Sequence, residues 1–198
     1  MDVVIVSFRP RTESMEAFFI STGLVALAEV GDKTQLLALM LAARFRKPFL
    51  IVLGILLATL LNHSLAGAAG AWLAHAVGAQ TLRWLLGASF IAMAAWMLVP
   101  DRLEEQQRCD TRYGALVTTL IAFFLLEIGD KTQAATVALA AKYEALTAVV
   151  LGTTFGMMAA NVPVVLLGEV AAKKMDMRFV QRIAAAIFAL LGIFVLLG

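Results

Sequence analysis

The chain has 198 residues, 62% of them hydrophobic and only 15% charged, with a mean hydropathy of +0.89. Soluble domains run at about 45–50% apolar and about 25% charged, and a small one has too little interior to hide such an excess, so a lipid-embedded chain is expected. A net charge of +2 with no basic stripe offers no nucleic-acid track, and a single cysteine, Cys109, excludes a disulfide framework and a cysteine zinc cluster.

The N-terminus does not read as a cleavable signal, because its apolar piece, Val3 to Val6, is short and Arg9, Pro10 and Arg11 follow it. Beyond it, crossing the hydrocarbon as a helix takes about 20 mostly apolar residues. Six stretches qualify, roughly 17–43, 48–74, 81–99, 113–141, 145–172 and 179–198. The fold class expected is therefore an all-α membrane protein with six transmembrane helices. The segment 101–112 is the longest and most charged connection, and it divides the chain into halves 1–100 and 113–198.

Basic residues in short loops set orientation. With the helices taken in order, ten lie on the side of the central linker (Arg44, Arg46, Lys47, Arg102, Arg108, Arg112, Lys173, Lys174, Arg178 and Arg182) and four on the other (Arg9, Arg11, Arg83 and Lys142). The linker is expected to be cytoplasmic and both termini outside.

The halves repeat one another. Residues 25–44 (VALAEVGDKTQLLALMLAAR) and 123–142 (FFLLEIGDKTQAATVALAAK) agree at 10 of 20 positions. Asn62 recurs as Asn161, one residue out of register. Three crossings per unit is an odd number, so the second unit is expected upside down. Such inverted repeats are a common transporter design, with the substrate site near mid-membrane between the units.

The repeated heptapeptide carries the chemistry. Glu29 and Asp32, and Glu127 and Asp130, stand three residues apart and are expected on one helical face. Charges at mid-membrane cost at least about 2.5 kcal/mol each, and with Lys33 and Lys131 there are six of them. They are tolerable only if they meet one another, water or an ion. Four carboxylates against two lysines leave two negative charges, which one divalent cation neutralises. Carboxylate, amide and hydroxyl oxygens suit Mn²⁺, Ca²⁺ and Mg²⁺ and disfavour a soft ion such as copper(I). The candidate metal ligands are Glu29, Asp32, Gln35, Asn62, Glu127, Asp130, Gln133 and Asn161. Thr34 and Thr132 are accessory oxygens, and Lys33 and Lys131 are either counter-charges or snorkelling side chains. Asn62 and Asn161 also read as interhelical hydrogen-bond glue. Gly31 and Gly129 let the backbone unwind or another helix come close. With no metal bound, four close carboxylates cannot all stay ionised. The empty site therefore takes up protons or another cation, and metal entry expels them.

The bland readings are a buried ion pair that staples each motif helix, a packed polar role for His63, and hydrated or paired roles for Glu16 and Glu169. Gly152 and Gly156 read as a helix-packing pair. No nucleophile elbow or H-E-x-x-H motif is present, so no enzyme is expected. No cofactor is expected beyond the transported ion.

Twin E-x-G-D-[KR]-[TS] motifs in helices one and four of a six-helix chain resemble the manganese/calcium transporters of Golgi, chloroplast and bacterial membranes. The resemblance covers nearly the whole chain and extends to the R-K-P sequence at 46–48. It implies cation/H⁺ antiport, with the family's acidic residues falling on Glu29, Asp32, Glu127 and Asp130. The bacterial branch, which exports Mn²⁺ across the inner membrane, fits best. A passive divalent-cation channel and a Na⁺-coupled exchanger are the alternatives. The partners implied are the metal ion, H⁺ and the bilayer, with homo-oligomerisation left open.

Overall fold

The computed structural model describes residues 11–99, 113–167 and 177–197. Within them the chain is all helical: α1 (Arg11–Glu29), α2 (Lys33–Phe45), α3 (Pro48–Ala76), α4 (Ala79–Met97), α5 (Gly114–Glu127), α6 (Lys131–Tyr143), α7 (Leu146–Leu167) and α8 (Met177–Leu197). The linker 101–112 with Cys109, and Glu169 with Lys173, lie outside the described residues.

Two of the expected spans are broken. The stretch 17–43 becomes α1 and α2, which meet at a bend of 72°. The stretch 113–141 becomes α5 and α6. Among the described residues three helices are long and apolar enough to cross a bilayer, within Pro48–Ala76, Leu146–Leu167 and Phe179–Leu197. Counting the bent α1–α2 pair as one span makes four. α5 is only 14 residues long because its span stops at the second motif.

The breaks have a local cause. The Asp32 N–H donates to the Glu29 carbonyl and the Asp130 N–H to the Glu127 carbonyl, both at 3.1 Å. Gly31 and Gly129 take φ of +80° and +75°, and Ile128 before the second glycine sits at φ −62°, ψ 120°. These are the dihedrals of a type II turn, whose third residue needs positive φ and hence glycine. E-x-G-D is thus a turn, and the expected placement of each Glu and Asp on one helical face is corrected. Asp32 (φ −79°, ψ 164°) and Asp130 (φ −84°, ψ 166°) then begin α2 and α6 as N-cap residues.

Packing exchanges partners between the halves. α1 runs along α7 and α5 along α3, while α6 leans on α3 and α2 on α7; α4 pairs with α8. Glycines allow the closest approaches. A methyl group at Gly152 or Gly156 would strike the backbone of Phe18 or Thr22 in α1, so this pair is a packing surface. Small residues suit helix association in lipid, where close van der Waals contact replaces the hydrophobic drive.

Two apolar clusters result. One joins residues before the first turn to residues after the second, including Leu24, Ala28, Leu139 and Val149, with Phe90 and Phe188. The other joins residues after the first turn to residues before the second, including Leu37, Ile55 and Phe123. The two turns belong to a separate polar region between these stretches of sequence.

Candidate metal centre

The two turns bring their acids together. Glu29, Asp32 and Asp130 each offer a carboxylate oxygen within 4.8 Å of the others. Glu29 and Glu127 have no solvent exposure, and Asp32 and Asp130 have 2%. Glu127 lies close enough to Glu29 and Asp130 for their charges to act on it.

Each acid has its own support. The Thr34 hydroxyl donates to Glu29 Oε2 at 2.5 Å, and Asn161 and Thr132 stand beside the same carboxylate. Asp32 Oδ2 accepts the Thr34 N–H at 3.3 Å. Glu127 accepts from Thr59 Oγ1 at 3.0 Å and from Asn62 Nδ2 at 3.4 Å. Thr132 donates to Asp130 Oδ2 at 3.4 Å. Lys33 Nζ lies 2.8 Å from Asp130 Oδ1, a counter-charge from the opposite motif. Lys131 is buried and its Nζ donates to the Val99 carbonyl at 3.4 Å.

The glutamines brace the turns. Gln35 Oε1 accepts the Gly31 N–H at 2.9 Å, and Gln133 Oε1 accepts the Gly129 N–H at 2.7 Å. Their amide nitrogens then reach the other half: Gln35 Nε2 to the Ala160 carbonyl at 3.0 Å, and Gln133 Nε2 to Asn62 Oδ1. The asparagines cross over in the same sense. Asn62 of the first half serves Glu127, and Asn161 of the second lies beside Glu29. Asn161 Nδ2 donates to the Met157 carbonyl at 3.1 Å, which leaves its buried Oδ1 without a donor.

Glu29 Oε1 is likewise buried, and among the described residues no donor meets it at full hydrogen-bond geometry, although Asn161 and Thr132 stand near the carboxylate. Buried carboxylate oxygens are costly unless paired or bound to a metal. Four acids against two lysines make the site rich in oxygen acceptors, a chemistry suited to a cation.

Thr59 and His63 were not among the expected site residues. With Asn62 they occupy positions i, i+3 and i+4 of α3, one face of an otherwise apolar helix. That polar face was the available signal.

Among the described residues the chain is all helical, with membrane-length apolar helices and buried acids mounted on two broken ones, a construction suited to a membrane transporter of cations. The chain belongs to the GDT1 family: a family profile described as "Divalent cation/proton antiporter GDT1" matches residues 17–105 and 115–198. It is 48% identical, over 93% of its length and 92% of the relative's, to a Vibrio cholerae protein named "Putative manganese exporter". It is 26% identical to GDT1-like protein 3 of rice (Oryza sativa subsp. indica), over 87% of its own length and 71% of the relative's. No solved structure matches it significantly.

Proposed function

We propose that the protein exports Mn²⁺ across the bacterial inner membrane in exchange for H⁺, with Ca²⁺ the other ion its oxygen ligands accept. The observation that carries this reading is the convergence of Glu29 and Asp32 with Asp130, which come from turns about a hundred residues apart, into one buried group. Together with Glu127 they supply four negative charges, and Asn62, Asn161, Thr34 and Thr132 supply neutral oxygens around them. Gln35 and Gln133 hold the turns while leaving each Oε1 a second lone pair.

Exchange follows from electrostatics. Buried acids this close stay together only when cations balance them, whether one metal ion or protons. Metal and protons therefore compete for the same oxygens, which is the requirement for antiport.

Six crossings arranged as two inverted three-helix repeats give the mechanism its frame. The exchanged packing of α1 on α7 and α5 on α3 supports this arrangement. So do the apolar clusters, each of which mixes residues of the two halves. Rocking of one half against the other would then expose the site alternately, with the linker 101–112 cytoplasmic and both termini outside.

The test is flux in proteoliposomes carrying Mn²⁺ and pH reporters. Mn²⁺ entry should follow an imposed pH gradient and move protons the other way. Glu127→Gln should abolish both without unfolding the protein. Mn²⁺ flux with no proton counterflow would identify a channel, and flux that requires Na⁺ would identify a different coupling ion.

A further inference from the structure

His63 lies on α3 one residue beyond Asn62 and has no solvent exposure. Its Nδ1 is 2.9 Å from Thr153 Oγ1. The Thr153 hydroxyl also reaches the Val150 carbonyl at 3.2 Å; when it donates there, it accepts from His63 and the ring proton sits on Nδ1. Nε2, on the far side of the ring, has no hydrogen-bond partner among the described residues. It faces Glu127 Oε2 at 4.0 Å. In that tautomer the Nε2 lone pair and the Glu127 carboxylate face each other, with no other donor between them among the described residues.

We propose that His63 Nε2 is a nitrogen ligand of the transported ion, and that it biases the site toward first-row transition-metal ions over Ca²⁺ and Mg²⁺. The proposal rests on reading the acid cluster as the metal site and adds a ligand to it. Metal–ligand bonds of roughly 2.0–2.6 Å allow two donor atoms on one ion to stand up to roughly 4–5 Å apart. The His63–Glu127 separation falls inside that reach. A ligating histidine characteristically donates its other ring N–H to a neighbouring oxygen, which fixes the tautomer and aims the free nitrogen. Thr153 does this here.

The chemistry discriminates because Ca²⁺ and Mg²⁺ are hard ions that take oxygen ligands, whereas an imidazole nitrogen favours first-row transition ions, most strongly the later ones and least strongly Mn²⁺, which also suits oxygen. The rest of the cluster is oxygen only and tolerates all of them. His63 also breaks the symmetry of the repeat. At the register that pairs Asn62 with Asn161, its counterpart is Val162. One nitrogen therefore enters an otherwise duplicated oxygen cage, at the edge formed by Glu127, Thr59 and Asn62.

The test uses full-length protein in nanodiscs, with any affinity tag removed and Mn²⁺ as the probe. Electron spin-echo envelope modulation of bound Mn²⁺ should show coupling to a directly ligated ¹⁴N. The coupling should vanish in His63→Gln and persist in His75→Gln. Competition between Mn²⁺ and Ca²⁺ should show the Mn²⁺ preference falling at least about tenfold in His63→Gln, since even outer partners of a metal site are worth about that much. Absence of ¹⁴N coupling in the wild type would overturn the proposal without recourse to a variant. So would an unchanged Mn²⁺/Ca²⁺ ratio in His63→Gln. Mn²⁺ binding that survives Asp130→Asn would instead reject the acid site itself, a separate failure.

Discussion

Lys33 of the first motif and Asp130 of the second form an ion pair 2.8 Å long between residues 97 positions apart. The lysine is partly exposed, and its partner is one of the three acids that converge. In the proposed metal site the ammonium would occupy an oxygen that an incoming metal uses and act as a resident competitor.

Lys33→Gln removes that competitor. A positive charge about 4 Å from a second one costs roughly 1 kcal/mol in water and roughly 4 kcal/mol at an effective dielectric of 20. Mn²⁺ affinity, measured by calorimetry, should rise about tenfold or more, while turnover in proteoliposomes falls because release is slower. Weaker binding would mean that Lys33 positions Asp130 and does not compete for it.

Gly129 holds φ +75°, and nothing lies within 4 Å of where a Cβ would stand. Its glycine is needed for conformation and not for space. Gly129→Ala should cost about 1–2 kcal/mol of stability, the penalty for a left-handed non-glycine residue, and should reduce Mn²⁺ binding by misaiming Glu127 and Asp130. Gly129→Asn should recover most of both, since asparagine tolerates this region. Equal loss in the two variants would sink the turn argument.

Gly156 makes the opposite case. A Cβ there would collide with the Thr22 carbonyl and come 2.9 Å from the Ala26 nitrogen, whereas one at Gly23 meets nothing. Gly156→Ala should lower the melting temperature and impair transport by prising α1 from α7. Gly23→Ala should be neutral or stabilising by up to about 1 kcal/mol, the helix preference for alanine over glycine. Thermal unfolding in detergent checks both.

Tyr143 follows the apolar stretch 113–141, and its hydroxyl donates to Glu16 Oε1 at 3.5 Å while accepting from Lys142 at 3.2 Å. Burial first, and then the Glu16 carboxylate, push the phenol up from 10.0 to about 12. A raised pKa in the folded state stabilises fully below the unfolded value and is lost as pH climbs. Wild type should therefore lose stability relative to Tyr143→Phe only from pH 10 upward, across the window to about 12. A difference spectrum of phenolate absorbance between the two proteins should titrate near the upper end. A gap that opens below pH 9 would contradict the assignment.

The sequence made the acids legible because the motif is duplicated and charges at mid-membrane are too costly to be incidental. It left their geometry ambiguous, since a three-residue spacing fits a helical turn and a type II turn alike. The glycine in third place was the discriminating feature. Gln35 and Gln133 read as further oxygen donors, but an amide four residues after an unwound glycine also lies where that glycine's N–H points. The Lys33–Asp130 pair had no sequence signature, because it depends on how two distant turns meet. Thr59 and His63 were visible only as polar residues on a helix that otherwise favours lipid, and the conventional reading of a lone histidine is packing.

The Thr34–Glu29 hydrogen bond spans the break between α1 and α2. Donor and acceptor ride on different arms of a rod bent by 72°. A change in that angle would change the distance between them, and with it one of the hydrogen bonds that support the enclosed Glu29 carboxylate. If the acid cluster is the ion site, bending at this break would alter the hydrogen bonding of Glu29 and so tie helix posture to the charge the site holds.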